Sequence, residues 1–221
     1  RRQLLNEAAV LAMLEHPAIV RFKEAFVTSD QQNVCVVMEL LEGGTLARFI
    51  RHQAAKKSHL PEAAIWRFLL QLATAVRHLH ANRVCHRDLK PCNTLFSANG
   101  TLKLADFGLS KLMRQKMTST IVGTPLYAAP EVYNKQPYGF PADIWALGCI
   151  AHELATLAPT FESSSSRELR FKVLQGTVPP IPEQYSQDLR DVVAAMLHLD
   201  PIQRVTADQL LEMPAVASRL Q

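Results

Sequence analysis

The sequence predicts an α+β fold in which a few short strands come first and a mostly helical body follows. Two β-rich runs, residues 19–27 and 34–38, flank Thr28-Ser29-Asp30-Gln31-Gln32-Asn33, a turn-forming composition that suits two antiparallel strands. Residues 61–81 place Ile65, Phe68, Leu69, Leu72, Val76 and Leu79 at helical spacing on one face. A third, mostly apolar helix opens at Asp143-Ile144-Trp145-Ala146-Leu147-Gly148 and runs to about residue 157, as expected of an element buried at the centre of the body.

The remaining elements follow in order. Leu4, Ala8, Leu11 and Leu14 share one face of a helix that stops before His16-Pro17, because a proline disfavours helical geometry in the residue ahead of it. In Glu42-Gly43-Gly44-Thr45-Leu46 the glycines permit a tight path and Thr45 is an N-cap for a short helix. Pro61 suits the first turn of the long helix. Thr94-Leu95-Phe96 and Leu102-Lys103-Leu104 flank Ser97-Ala98-Asn99-Gly100-Thr101, whose Asn-Gly is a hairpin signal. Helices are predicted at residues 167–175, ended by Gly176, at 186–199, and at 206–213, the last opened by the capping box Thr206-Ala207-Asp208-Gln209. The serines at 163–166 read as a flexible connection between helices. No repeat or second domain is expected.

Composition excludes more than it names. The chain has 221 residues, 48% of them hydrophobic, enough to bury a substantial core. Its longest apolar stretches, such as residues 34–38 and 144–150, fall far short of the roughly 18 residues of a membrane span, and the start does not lead into a signal-peptide pattern. The cysteines Cys35, Cys85, Cys92 and Cys149 lack Cys-x-x-Cys spacing, so buried or partly buried thiols in a reducing compartment, by default the cytoplasm, are expected over zinc ligands or disulfides. The net charge is +4, yet Lys56-Lys57 is only a pair and no basic arm exists, so a nucleic-acid partner is not expected.

The chemistry concentrates in His86-Arg87-Asp88-Leu89-Lys90-Pro91-Cys92-Asn93, which crowds a carboxylate, an ammonium and a carboxamide into eight residues. In-line phosphoryl transfer needs a base for a hydroxyl, a cation for the migrating group and oxygen ligands for magnesium. Asp88, Lys90 and Asn93 match those roles in turn. A charged surface turn would explain a lone Arg-Asp or Lys-Pro equally well. Asp106-Phe107-Gly108 and Ala129-Pro130-Glu131 follow in order, and with these three motifs the chain resembles a eukaryotic protein kinase.

The resemblance covers nearly the whole chain. It is most similar to the NIMA-related serine/threonine kinases through Asp106-Phe107-Gly108-Leu109-Ser110-Lys111, Asp143 to Cys149, Glu153-Leu154, Val173-Leu174-Gln175-Gly176-Thr177 and Tyr185-Ser186-x-x-Leu189-Arg190. It implies a kinase-like fold with a partial N-lobe at residues 1–38, a hinge at 39–44 and a large, mostly helical C-lobe at 45–221. Only six residues precede Glu7, so the Gly-rich loop and ATP lysine are expected to be missing, as in an N-terminally truncated kinase domain.

The implied function is transfer of the ATP γ-phosphoryl group to Ser or Thr of protein substrates, with Mg2+. Asp88 is the implied base, and Lys90 and Thr124 are its companions at the incoming peptide. Asn93 and Asp106 are the metal ligands. Glu7, Met38 as gatekeeper, the backbone of Glu39, Leu40 and Leu41, Leu95 and Asp106 form the ATP site. Thr120 is the implied phosphorylation switch, read by Arg87 and Lys111, with room for an upstream kinase or activating partner. His86 and Phe107 stack with Leu11 and Phe22 in the core, Asp143 holds the catalytic-loop backbone, and Glu131 pairs with Arg204. A scaffold that binds partners without phosphoryl transfer is the alternative. Oligomeric state is left open.

Overall fold

The computed structural model describes residues 14–28, 33–106 and 126–220. β1 (Phe22–Val27) and β2 (Val34–Met38) pair antiparallel, Phe22 opposite Met38 and Val27 opposite Val34, with a register shift between Phe22 and Glu24. The strand expected over residues 19–27 therefore starts three residues late. Ile19 instead forms a parallel bridge with Leu104, flanked by bonds from the Val20 N–H to the Leu104 carbonyl and from the Leu104 N–H to the Ala18 carbonyl, both 2.9 Å. Burial is the reason: Ala18, Ile19 and Val20 are almost inaccessible and belong to the main core, whereas β1 is largely exposed.

The body begins with α1 (Leu46–Ala55), capped by Thr45, whose Oγ1 accepts from the Arg48 N–H at 3.2 Å. α2 (Glu62–Ala81) follows, with Pro61 standing just outside its first turn in extended backbone. All six apolar residues foreseen on its face are buried. β3 (Thr94–Phe96) and β4 (Leu102–Leu104) form the foreseen hairpin, and Gly100 takes the positive φ of 80° that its turn requires.

After α3 (Pro130–Tyr133) comes α4 (Phe140–Thr156), buried from Ala142 to Ala155 and packed on α2. α5 (Ser166–Gln175) ends at Gly176 with φ 64°. The four serines are not simply a connection: the Ser165 Oγ accepts from the Glu168 N–H at 3.2 Å as N-cap, and Ser166 is the first helical residue. A hydroxyl at that position satisfies an otherwise orphaned helical N–H. α6 (Gln187–Met196) and α7 (Ala207–Glu212) start one residue later than foreseen because Ser186 and Thr206 are caps, and they end at Met196 and Glu212, short of the foreseen 199 and 213. The capping box of Thr206 with Gln209 is formed. α8 (Pro214–Ala217) completes the described helices, and none of them is long and apolar enough to cross a membrane.

Burial makes this core sensitive to acid. It holds the imidazoles of His86 and His152 below their usual range, as it does His16, where His78 and Arg77 add to the effect. Unfolded histidines take up protons as pH falls through about 6.5, while these folded ones resist. Their contribution is whole above that value and declines below it. Glu153, whose carboxyl burial pushes up, acts in the opposite sense, but one group opposes three. A thermal scan at pH 5.5 should therefore give a Tm about 5 °C or more below that at pH 7.5.

Candidate active site

α2 delivers the chain to the reactive octet, and α4 holds it there. Asp143, 1% exposed, accepts the His86 N–H on Oδ2 and the Arg87 N–H on Oδ1, both at 2.8 Å, and lies 2.9 Å from Nε2 of His80. Burial alone would raise this carboxyl, but the His80 bond and the Arg87 amide hold it below its usual range. Arg87 pays for the arrangement with φ 68°, and Asp106 has φ 59°. Non-glycine residues persist in such conformations only where their surroundings over-determine them. The two amides locked onto Asp143 do so for Arg87.

Within the loop, the 3-10 turn Pro91–Asn93 folds the chain back so that Asp88 Oδ2 receives Lys90 Nζ at 2.7 Å and Asn93 Nδ2 at 2.9 Å. The same Nδ2 donates to the Asp88 carbonyl at 2.9 Å, which turns Oδ1 of Asn93 away from Asp88. Asn93 is buried, while the Asp88 and Lys90 side chains keep 25% and 34% of their exposure, enough to meet a substrate. The Ala105 N–H donates to the Asn93 carbonyl at 2.9 Å, so the exposed Asp106 follows one residue after the point where the two segments join.

His86 has no exposure, and its Nδ1 accepts the Asp88 N–H at 3.3 Å. That ring, kept neutral by burial, belongs to the core that supports the loop. Phe22, at the start of β1, is partly buried against the same core. The Arg87 guanidinium lies 5.6 Å from the centre of the Tyr138 ring. Cys85 is half-buried with its thiol pushed up to about 12, chiefly by burial, whereas Cys92 departs from expectation and is exposed. Cysteine spacing carries no information about which way a 3-10 turn aims its middle residue.

The residues expected to form the hinge run on from β2. Met38 closes the strand, Leu40 is 82% exposed, and Glu39 and Leu41 are half-buried. The Gly43 N–H donates to the Phe96 carbonyl at 3.0 Å and the Phe96 N–H to the Gly44 carbonyl at 2.9 Å, while Thr45 bridges Leu95. A Cβ on Gly43 would come within 2.6 Å of Phe96, so this approach requires glycine. Glu131 and Arg204 form a buried two-pronged ion pair, at 2.8 and 3.1 Å. Glu7, Leu11, Phe107, Lys111, Thr120 and Thr124 lie outside the described residues.

Among the contacts that went unread in the sequence are His80 on Asp143, Tyr127 Oη donating to the buried Glu153 at 2.6 Å, and Glu39 with Lys103. Each joins residues far apart in the chain, and no local spacing announces them.

A loop that presents a carboxylate gripped by an ammonium and a carboxamide, with an exposed aspartate on the segment joined to it, suits phosphoryl transfer. The whole stretch 1–216 matches the model described as a protein kinase domain, and the chain belongs to that family. Within it, the similarity is to Nek-named serine/threonine kinases. It is 35% identical to the probable serine/threonine-protein kinase nek2 of Dictyostelium discoideum, over 96% of this chain and 51% of that protein. It is also 35% identical to Nek2 of Homo sapiens, over 98% and 50%, and 40% identical to Nek3 of Mus musculus, over 93% and 40%. The chain thus spans about half the length, or less, of these relatives.

Proposed function

We propose that the protein carrying this chain is a serine/threonine kinase that transfers the γ-phosphoryl group of ATP to protein substrates. The observation that carries this reading is the grip of Lys90 and Asn93 on one carboxylate oxygen of Asp88. With Oδ2 occupied by two donors, Oδ1 accepts the hydrogen bond of a substrate hydroxyl and takes its proton as the phosphoryl group moves. Lys90, beside the base, places positive charge near the migrating group.

Magnesium fits the remaining donors. Among the described residues no cluster of three or more His, Cys, Asp or Glu side chains could hold a metal by itself. Oδ1 of Asn93 and the Asp106 carboxylate are two hard oxygens, the small protein set that suits a cation sharing its shell with phosphates and water. When bound, Mg2+ neutralises charge on the ATP oxygens. The backbone of residues 39–41 receives adenine, over Leu95.

The relatives' printed names, all serine/threonine-protein kinases, support the choice of acceptor. The four free thiols suit a cytoplasmic setting. The full-length protein, incubated with γ-labelled ATP, Mg2+ and casein, should yield phosphoserine or phosphothreonine. No transfer before or after treatment with an upstream kinase would sink the proposal. Regulation is part of it: a phosphate on Thr120 draws the Arg87 guanidinium off the Tyr138 ring, so Arg87→Ala should remove the gain in activity that Thr120 phosphorylation gives, measured as the kcat ratio of the two forms.

A further inference from the structure

Adenine-hinge contacts are expected of backbone atoms, which leaves the Glu39 side chain without a task. The structure gives it one. Its Oε1 accepts Lys103 Nζ at 2.5 Å and the Arg21 N–H at 2.8 Å, and the Glu39 N–H donates to the Arg21 carbonyl at 2.9 Å. Both side chains of the ion pair are mostly buried, at 25% and 17% exposure. Burial alone would raise the Glu39 carboxyl, yet the Lys103 bond and the Arg21 amide hold it low, so the pair is formed at neutral pH.

The place of Lys103 matters more than the strength of the bond. It is the middle residue of β4, opposite Leu95 in β3, between Leu102 and Leu104, which point into the core with no exposure. Two residues past β4 stands Asp106, and one residue before β3 stands Asn93. The hairpin is therefore the common base of the metal-side residues. Gly43 and Gly44 fix one end of the hinge to that base through Phe96, and the Glu39–Lys103 pair fixes the other end. Residues 40–42 are suspended between the two anchors. Glu39 also ties the hinge to Arg21, next to the strand that leaves the core.

We infer that Glu39 and Lys103 are positioning residues of the nucleotide site: their ion pair sets where the hinge backbone stands relative to the hairpin that carries Asn93 and Asp106. Adenine is held by one side and the phosphates by the other, so a shift between them costs affinity even though neither side chain touches the nucleotide. The inference rests on the kinase reading.

In the full-length protein, Lys103→Met keeps the aliphatic stem and removes the charge. It should weaken Mg·ADP binding, measured by titration calorimetry, about tenfold, or about 1.4 kcal/mol. KM for ATP should rise in parallel while kcat changes less than twofold. Lys103→Arg, which restores the charge, should recover most of the affinity. Glu39→Gln combined with Lys103→Met should bind no worse than Lys103→Met alone, because the two act through one contact. Wild-type affinity in Lys103→Met, whether or not its Tm falls, overturns the assignment and leaves the kinase reading intact. Equal losses in Lys103→Met and Lys103→Arg also overturn it. Absence of Mg·ADP binding in the unaltered protein overturns both.

Discussion

Asp88→Asn should lower kcat by about 10³-fold, within the range that a positioned general base supplies. The substitution keeps the size of the side chain and its place in the turn Pro91–Asn93, but an amide takes no proton. It also loses the charge that draws Lys90 Nζ to 2.7 Å. Affinity for Mg·ADP should change little, since the expected ligands, Asn93 and Asp106, keep their backbone tie through Ala105. Tm should stay within a few degrees of wild type, because Asp88 and Lys90 are partly exposed and such pairs contribute about 1 kcal/mol or less. Rapid-quench transfer from labelled ATP separates the chemical step from binding. Undiminished transfer would remove Asp88 from the role of base, and Lys90 and Asn93 would then be holding a structural carboxylate.

What could be read from the chain and what could not divides by range along the sequence. The α2 face, the Thr45 and Thr206 caps, the Asn99-Gly100 hairpin and the Gly176 terminus each depend on residues within one turn or one loop, and all are formed. The start of β1 was misplaced because Ile19 and Val20 suit either sheet. Only the main core, by taking Ala18 to Val20 against Leu104, decides between them. At the site, Asp88, Lys90 and Asn93 showed themselves as near neighbours in sequence, although it took Asp106-Phe107-Gly108 and Ala129-Pro130-Glu131 to lift the octet above a charged surface turn. The supports did not: His80 and Asp143 are 63 residues apart, Glu39 and Lys103 are 64 apart. A histidine beside Leu79 on a helix, or a lysine in the middle of a strand, carries no mark of the partner that tertiary packing brings to it. The pairing of Glu131 with Arg204, 73 residues apart, came from family resemblance and not from any local pattern.

That pairing predicts the largest effect on stability. Arg204 has five N–H donors, and every one is used: Nε on the His198 carbonyl, Nη1 on Glu131 and the Pro141 carbonyl, Nη2 on Glu131 and the Leu199 carbonyl. Its guanidinium also lies 5.1 Å from the Trp145 ring, which stacks on Phe161 with 5° between planes. Arg204→Met strands a Glu131 carboxylate with 4% exposure and takes a donor from the His198, Pro141 and Leu199 carbonyls, so urea unfolding should show a loss of about 3–5 kcal/mol, with a Tm about 10 °C lower. Lysine is no remedy, since a point charge with three donors cannot reproduce a planar fork. Adding Glu131→Leu to Arg204→Met should recover part of the loss, because the buried charge goes with its partner. Costs below 1 kcal/mol, additive in the double variant, would show that water reaches the pair and that it contributes little. The consequence reaches the chemistry through α4: Trp145, against which Arg204 packs, stands two residues from Asp143, which fixes the His86 and Arg87 amides. Arg204→Met should therefore reduce kcat as well, at temperatures well below its own Tm, although Arg204 touches no reacting group.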